Sequence, residues 1–220
     1  MPRRKFTREG VDIRREQLIE ATLDAIADKG LSAATVRDVA ARAGVTQGLI
    51  RHYFQTKEEL VRESYKAFMH QLTDDSRALV LDGDADPVAR LAAFIRGSLS
   101  PQVMNSRQVS IWSAFLNLSR RDDQMALVHE ETYLAFRAQV ELMIADLPGR
   151  RDAKDVRQLA IATNAVLDGL WLEGGFYPHG FATNELAEIA ITTIGNILGC
   201  DFRGTRPGVA GRTEDRKKTA

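Results

Sequence analysis

Apolar residues recur every three or four positions along most of the chain, the spacing that gathers them on one face of an α-helix. Ile19, Leu23 and Ile26 share such a face, and Gly30 ends the helix predicted over residues 12–29. No segment shows the strict alternation of a β-strand, so the pattern predicts an all-α fold. The later helices are predicted over residues 56–81, 87–99, 107–119, 123–147, 152–174 and 183–198.

Two short helices separated by a glycine are predicted between residues 35 and 56. Thr35 stands three residues before Asp38 in a capping-box pattern, and the helix that follows ends at Ala43. Gly44 supplies the turn, and Thr46 can cap the next helix. A helix-turn-helix of this kind places its second helix in the DNA major groove. The pattern alone is equally compatible with an ordinary helical core.

The second short helix carries side chains suited to DNA. Gln47 can read adenine through two hydrogen bonds. Gly48 costs a helix about 1 kcal/mol relative to alanine, which a close approach to DNA would explain. Lys57 opens the next helix, where the backbone N–H groups already attract phosphate.

The stretch TVRDVAARAGVTQGLIRHYFQTKEELV, residues 35–61, resembles the DNA-binding signature of the tetracycline-repressor (TetR) family. The resemblance implies an all-α homodimer with an N-terminal three-helix domain that binds a palindromic operator. It also implies a larger α-helical C-terminal domain for ligand binding and dimerisation, whose small-molecule effector releases the DNA. The DNA-contact candidates that follow from it are Thr35, Arg37, Thr46, Gln47, Gly48, Arg51, His52, Tyr53 and Lys57.

The domains expected from this resemblance follow the change in composition along the chain. We expect a flexible basic arm over residues 1–11, the helix-turn-helix domain over 12–56, the ligand-binding and dimerisation domain over 57–202, and a disordered tail over 203–220. Arg3, Arg4 and Lys5 would give the arm minor-groove contacts, as basic arms do elsewhere, or would simply be solvated.

Charge divides along the chain, although its 30 basic and 30 acidic side chains balance. Residues 1–57 hold 11 basic and 7 acidic side chains, and residues 58–202 hold 13 and 21. A basic head on an acidic body fits a polyanionic partner at the head, and ordinary surface charge explains the division equally well. The single cysteine, Cys200, excludes an internal disulfide and fits a reducing cytoplasm. No apolar run has transmembrane length, so we expect a cytoplasmic protein without a membrane partner.

Two segments of the body resemble the choline-responsive BetI branch of the family: SIWSAFLNLS, residues 110–119, and NAVLDGLWLEGGF, residues 164–176. A quaternary ammonium ion binds aromatic faces near a carboxylate. Leu116 stands where that branch has a second tryptophan, so a neutral hydrophobic inducer is the alternative. Core packing is the other interpretation of the same side chains. The ligand-binding candidates are Trp112, Phe115, Tyr133, Asp168, Trp171 and Glu173.

The last predicted helix has apolar residues around too much of its circumference for one internal face. By the family resemblance, the last two helices form a four-helix bundle with those of a partner chain. A fully buried core helix in a monomer is the alternative. The dimer-interface candidates are Ala190, Ile191, Ile194, Gly195 and Leu198.

The sequence gives little support to an enzyme or to a purely structural helical adaptor. Its four histidines have no metal-ligand spacing among themselves, and no glycine-rich phosphate loop or nucleophile elbow occurs. We therefore expect no catalytic residues, no metal site and no cofactor. An adaptor would not need Gly48 or Lys57.

Overall fold

The computed structural model describes residues 8–78, 86–149 and 152–202. These residues form nine helices and no strand, which confirms the predicted all-α fold. The helices are α1 (Arg8–Lys29), α2 (Val36–Arg42), α3 (Gln47–Tyr53), α4 (Lys57–Ala78), α5 (Pro87–Ser98), α6 (Ser106–Ser119), α7 (Asp123–Ala145), α8 (Ala153–Phe176) and α9 (Glu185–Leu198).

Most helix boundaries lie within two residues of the predicted ones, but α1 begins earlier. Residues 8–11 belong to α1, so the boundary expected at residue 11 between a flexible arm and the first helix is wrong. Charged residues suggested a solvated arm, yet arginine and glutamate are good helix formers. Three other expectations concern residues that the structure does not describe. They are the basic side chains Arg3, Arg4 and Lys5, the end of the helix expected to reach residue 81, and the tail over residues 203–220.

The helices α1, α2 and α3 form a small unit around a shared apolar core. Leu23 and Ile26 of α1, Val39 of α2 and Ile50 of α3 are buried in it, together with Phe54, which follows α3 directly. Gly44 joins α2 to α3 with φ of +64°, a left-handed conformation that glycine adopts without steric cost. The Val45 N–H then donates to the Ala40 carbonyl at 2.9 Å, which closes the turn.

The long helix α4 packs on α1 with one side and on α7 with another. Leu60, Tyr65 and Phe68 are buried along its length. The helix therefore belongs to both parts of the molecule, with its first turn beside the three-helix unit and its later turns in the body.

The body consists of α5 to α9, with α8 packed between α7 and α9 and with α5 against α9. After α9 the chain turns back, and Phe202 is buried. A Cβ at Gly195 would lie 2.8 Å from the Cys200 carbonyl oxygen, so the returning chain needs glycine there.

The buried face of α9 corrects the predicted dimer interface. Ala190, Ile191, Ile194, Gly195 and Leu198 are all buried within their own chain. Apolar periodicity shows that a helix face is buried, but it does not show whether the neighbour belongs to the same chain or to a partner. These five residues hold α9 to the body.

Replacing Gly44 with alanine tests the turn between α2 and α3. An added Cβ would meet no atom within 4 Å, so the cost is conformational rather than steric. We expect Gly44→Ala to lower the free energy of unfolding by about 1–2 kcal/mol, measured by urea denaturation. Gly48→Ala is the control, because Gly48 lies within α3 without a positive φ and should not lower stability. Equal stability of Gly44→Ala and wild type would contradict this account of the turn.

Candidate functional site

The nine candidate DNA contacts all lie at the surface of the helix-turn-helix unit or at the start of α4. The exposed ones are Thr35 and Arg37 at the start of α2 and Thr46, Gln47, Gly48, Arg51 and His52 in and before α3. Tyr53 and Lys57 are half-buried. Tyr53 packs partly against the core.

The two candidate threonines also cap helices. Thr46 Oγ1 accepts a hydrogen bond from the Leu49 N–H at 3.3 Å, and Thr35 Oγ1 accepts one from the Asp38 N–H at 3.2 Å. Each hydroxyl oxygen is used as an acceptor, so its hydrogen is still available for donation. Because a phosphate oxygen only accepts, this arrangement suits a contact from either threonine hydroxyl to phosphate.

Ion pairs neutralise some basic side chains of the unit. Asp38 accepts hydrogen bonds from Lys29 Nζ at 2.5 Å and from Arg42 Nε at 3.0 Å. Lys29, followed by Arg42, holds the pKa of the Asp38 carboxyl below its usual value. Arg42 also pairs with Asp28 at 2.9 Å. Together these pairs tie α2 to α1.

Other basic side chains of the same unit are not neutralised in this way. No ion pair among the described residues uses Arg37, Arg51 or Lys57. The surface therefore presents positive charge that a polyanion can neutralise.

A cavity of about 60 Å³ lies in the body, between α4, α5, α6, α7 and α8. Trp112, Tyr133 and Trp171 line it together with Asp168. The two indole rings meet edge to face, with centroids 5.8 Å apart. Trp171 Nε1 donates to the Ser98 carbonyl at 2.9 Å, which fixes the orientation of that ring. The volume suits a molecule the size of a few waters, so it favours a small ligand.

Asp168 is the acidic group of this cavity. Tyr133 donates its hydroxyl to Asp168 Oδ2 at 3.0 Å. Burial raises the pKa of the Asp168 carboxyl to about 6, although the tyrosine hydrogen bond opposes the shift. The carboxyl is therefore ionised at neutral pH and becomes neutral in mild acid. Burial, followed by the Asp168 charge, raises the pKa of the Tyr133 hydroxyl, which keeps it a donor.

Two of the six predicted ligand residues do not line the cavity. Phe115 is fully buried elsewhere, with its ring stacked on Tyr65 of α4 at a centroid distance of 4.3 Å. Glu173 is exposed on the surface of α8, because two positions beyond Trp171 a helix has turned away from the cavity. Both assignments are corrected.

The sequence interpretation missed the apolar part of the cavity wall. Met69 and Leu72 of α4, Phe136 of α7 and Leu167 of α8 contribute to it. Their pattern is that of ordinary core residues. Phe136 alone carried a usable signal, because it stands three positions after Tyr133 and shares its helix face.

Exposed apolar side chains also occur on α8 and α9, and none of them lines the cavity. They include Leu172 and Phe176 on α8, which are 39% and 73% exposed, and Ile189 and Ile197 on α9, at 42% and 37%. Ile161, nearer the start of α8, is also exposed. We call these five residues the α8–α9 apolar surface.

The part of the chain that the structure describes contains neither a metal-binding cluster nor a membrane-spanning helix. No group of three or more histidine, cysteine, aspartate or glutamate side chains in these residues could hold a metal ion. Within the same ranges, no helix combines the length and apolar character needed to cross a bilayer.

Two family models match the chain. The model for bacterial regulatory proteins of the tetR family matches residues 18–64, and the model for the C-terminal domain of BetI-type transcriptional repressors matches residues 87–199. Together they cover most of the helix-turn-helix unit and every wall of the cavity except the one formed by α4.

Relatives and solved structures agree with these models. The HTH-type transcriptional regulator BetI of Serratia proteamaculans is 31% identical over 200 residues, covering 89% of this chain and 96% of that protein. BetI 1 of Chromohalobacter salexigens is 32% identical over 179 residues, covering 81% and 87%. A transcriptional regulator from Pseudomonas aeruginosa PAO1 superimposes with a TM-score of 0.76 at 29% identity, covering 92% and 99%. A Saccharomonospora viridis regulator solved in complex with choline has the same fold, with a TM-score of 0.70 at 19% identity over 83% and 96%.

Proposed function

The chain belongs to the TetR family of transcriptional regulators and has a BetI-type C-terminal domain, and from this premise we propose that it is a homodimeric repressor released by a small quaternary ammonium effector. It is a regulator and not an enzyme. The single observation that supports the effector class is Asp168, a half-buried carboxylate beside the rings of Trp112, Tyr133 and Trp171. Choline is the first candidate, since the Saccharomonospora viridis regulator of the same fold holds it.

In this proposal α3 lies in the major groove of the operator. Gln47 reads a base, while Arg37, Arg51 and Lys57 neutralise phosphates. The hydroxyls of Thr35 and Thr46 add neutral donors to phosphate oxygens. A repressor dimer presents two copies of α3 to half-sites about 34–36 Å apart, so a small change in their spacing weakens binding.

Gly48→Ala tests the approach of α3 to DNA. In the protein alone, the added Cβ would meet only Thr46 Oγ1, at 3.8 Å, so it clashes with nothing. Because alanine favours helix over glycine by about 1 kcal/mol, the fold should be at least as stable. We expect a loss of duplex affinity of at least about tenfold, measured by fluorescence anisotropy on a duplex selected from a random pool by the wild type.

A thermal unfolding curve provides the control for this substitution. If Gly48→Ala keeps wild-type stability and also keeps wild-type affinity, the start of α3 does not approach DNA closely. If the thermal stability of Gly48→Ala falls below that of wild type, its loss of duplex affinity is due to altered folding rather than to a clash with DNA.

For the effector, the ionisation of Asp168 gives a pH signature. A cation gains from the carboxylate charge, and protonation below a pKa of about 6 removes that charge. We expect choline affinity, followed by tryptophan fluorescence, to fall by up to about tenfold per pH unit below pH 6. Trp112 and Trp171 are the only tryptophans of the chain, so the signal reports this cavity.

Asp168→Asn is the matched variant, because it keeps the size of the side chain and removes the titration. It should bind choline more weakly and without pH dependence between pH 5 and 8. The quaternary ammonium assignment would be wrong if choline did not change the tryptophan fluorescence and a neutral hydrophobic compound changed it equally at pH 5 and pH 8. The repressor assignment would survive that result.

We place the dimer contact on the α8–α9 apolar surface. Leu172, Phe176, Ile189 and Ile197 are exposed in the single chain, and a partner's copy of the same surface would cover them. The resulting interface would join α8 and α9 to their two-fold related copies. A palindromic operator independently requires this symmetry.

Ile197→Glu tests this interface. A charge there would lose its water in the dimer without a counter-charge, so we expect dissociation to monomers and weaker operator binding. Light scattering coupled to gel filtration gives the mass. Leu142→Glu is the control, because Leu142 is 63% exposed on α7, outside this surface. A dimeric Ile197→Glu, or monomers from both variants, would contradict the proposed interface.

A further inference from the structure

Two chains of contacts lead from the cavity to the same residue of α4, Tyr65. One passes along α7 and the other along α6. Tyr65 is fully buried, and it is not part of the cavity wall. Its position between the cavity and the helix-turn-helix unit suggests a role beyond core packing.

The first chain starts at Asp168 and runs through α7. Asp168 accepts the hydroxyl hydrogen of Tyr133 at 3.0 Å. The Tyr133 ring stacks on the His129 ring one turn earlier, with centroids 5.6 Å apart. The Tyr65 hydroxyl then forms a hydrogen bond with His129 Nδ1 at 2.6 Å. Each link is a direct contact, so a shift of Tyr133 on ligand entry reaches α4 within two steps.

The second chain starts at Trp112 and runs through α6. Phe115 lies three positions after Trp112, and its ring stacks on Tyr65 at 4.3 Å with an interplanar angle of 25°. A movement of α6 that accommodates a ligand against Trp112 therefore presses on the same tyrosine. Phe115 therefore contacts Tyr65 and does not line the cavity.

The direction of the Tyr65–His129 hydrogen bond follows from burial. Burial raises the pKa of the Tyr65 hydroxyl and lowers the pKa of the His129 imidazole. Among the described residues the Tyr65 hydroxyl has no other hydrogen-bond partner, so its buried hydrogen is satisfied only if it is donated to Nδ1 of a neutral imidazole. Packing alone does not need this bond, because a phenylalanine would fill the same space without a hydroxyl to satisfy.

We propose that Tyr65 is a positioning residue that transmits the state of the cavity to the DNA-binding surface, through its hydrogen bond to His129 and its stacking on Phe115. It lies on α4, eight residues after Lys57, and α4 packs on α1 of the helix-turn-helix unit. A rotation or shift of α4 at Tyr65 therefore moves Lys57 and the unit that carries α3. This inference rests on the proposed function, since it needs both DNA binding and a responsive cavity.

Coupling between two sites is reciprocal, so DNA binding must also change the cavity if the two are linked. The tryptophans supply a readout that needs no knowledge of the effector. Both lie in the cavity wall, and the described helix-turn-helix unit contains none. We would titrate the selected duplex into the full-length protein and follow tryptophan emission with excitation at 295 nm.

The variant is Tyr65→Phe, which keeps the ring and its stacking and removes only the hydroxyl. Tyr177→Phe is the matched control, because Tyr177 is 65% exposed and lies after α8. His129→Leu removes the acceptor instead and serves as the second variant if Tyr65→Phe is poorly folded. Circular dichroism melts and anisotropy measure folding and duplex affinity separately from the tryptophan signal.

We expect the duplex to change the emission of the wild type and of Tyr177→Phe. Tyr65→Phe and His129→Leu should bind the duplex with affinity within about threefold of wild type, yet lose at least half of the emission change. If choline is the effector, its effect on duplex affinity should also fall in Tyr65→Phe, by about fivefold, the equilibrium effect of one hydrogen bond.

The failures are distinguishable. A wild-type protein that binds no duplex overturns the proposed function and this inference with it. Duplex binding without any wild-type emission change, or an equal change in Tyr65→Phe, overturns the inference alone. The inference is also overturned if Tyr177→Phe loses the emission change to the same extent, because the effect would then not be specific to Tyr65.

Discussion

The burial of α4 between α1 and α7 is the constraint on which both functional regions depend. Lys57 opens this helix beside the helix-turn-helix unit, whereas Met69, twelve residues later, lines the cavity. At 1.5 Å per residue, about 18 Å of continuous helix separates them. A helix of this kind bends little, so the cavity and the DNA-binding surface are held at a fixed separation. A change in the tilt of α4, rather than in its length, is the available way to connect them.

The helix-turn-helix unit could be predicted almost residue by residue, because its signals are local. Thr35 and Thr46 each cap the helix that begins at the next residue. Gly44 adopts a positive φ because it has no side chain. The family resemblance also rests on short motifs in this region, and the match over residues 18–64 confirms it. Even here the start of α1 was placed late, since charged residues alone do not distinguish a helix from an arm.

The body could be predicted only as a set of helices, because its contacts join residues far apart in sequence. The apolar pattern of α9 showed that Ile191 and Ile194 are buried, but their neighbours proved to belong to the same chain. Ile189 and Ile197 of the same helix stay exposed. Phe115 and Trp112 share a helix and differ in partner, one facing α4 and the other the cavity. The apolar periodicity of a sequence predicts which residues are buried, whereas the residues that they contact are known only from the folded structure.

The cavity wall contains one carboxyl group, that of the half-buried Asp168, among mainly apolar and aromatic side chains. Burial opposes the charge of Asp168, and Tyr133 supplies one hydrogen bond in return. A cationic ligand would offset the remaining cost of desolvation, whereas a neutral ligand would add to it by excluding water. Trp171, held by the Ser98 carbonyl, keeps an aromatic face fixed beside this charge without waiting for the ligand. Because these groups are held in place before a ligand arrives, binding a ligand there costs less ordering of side chains.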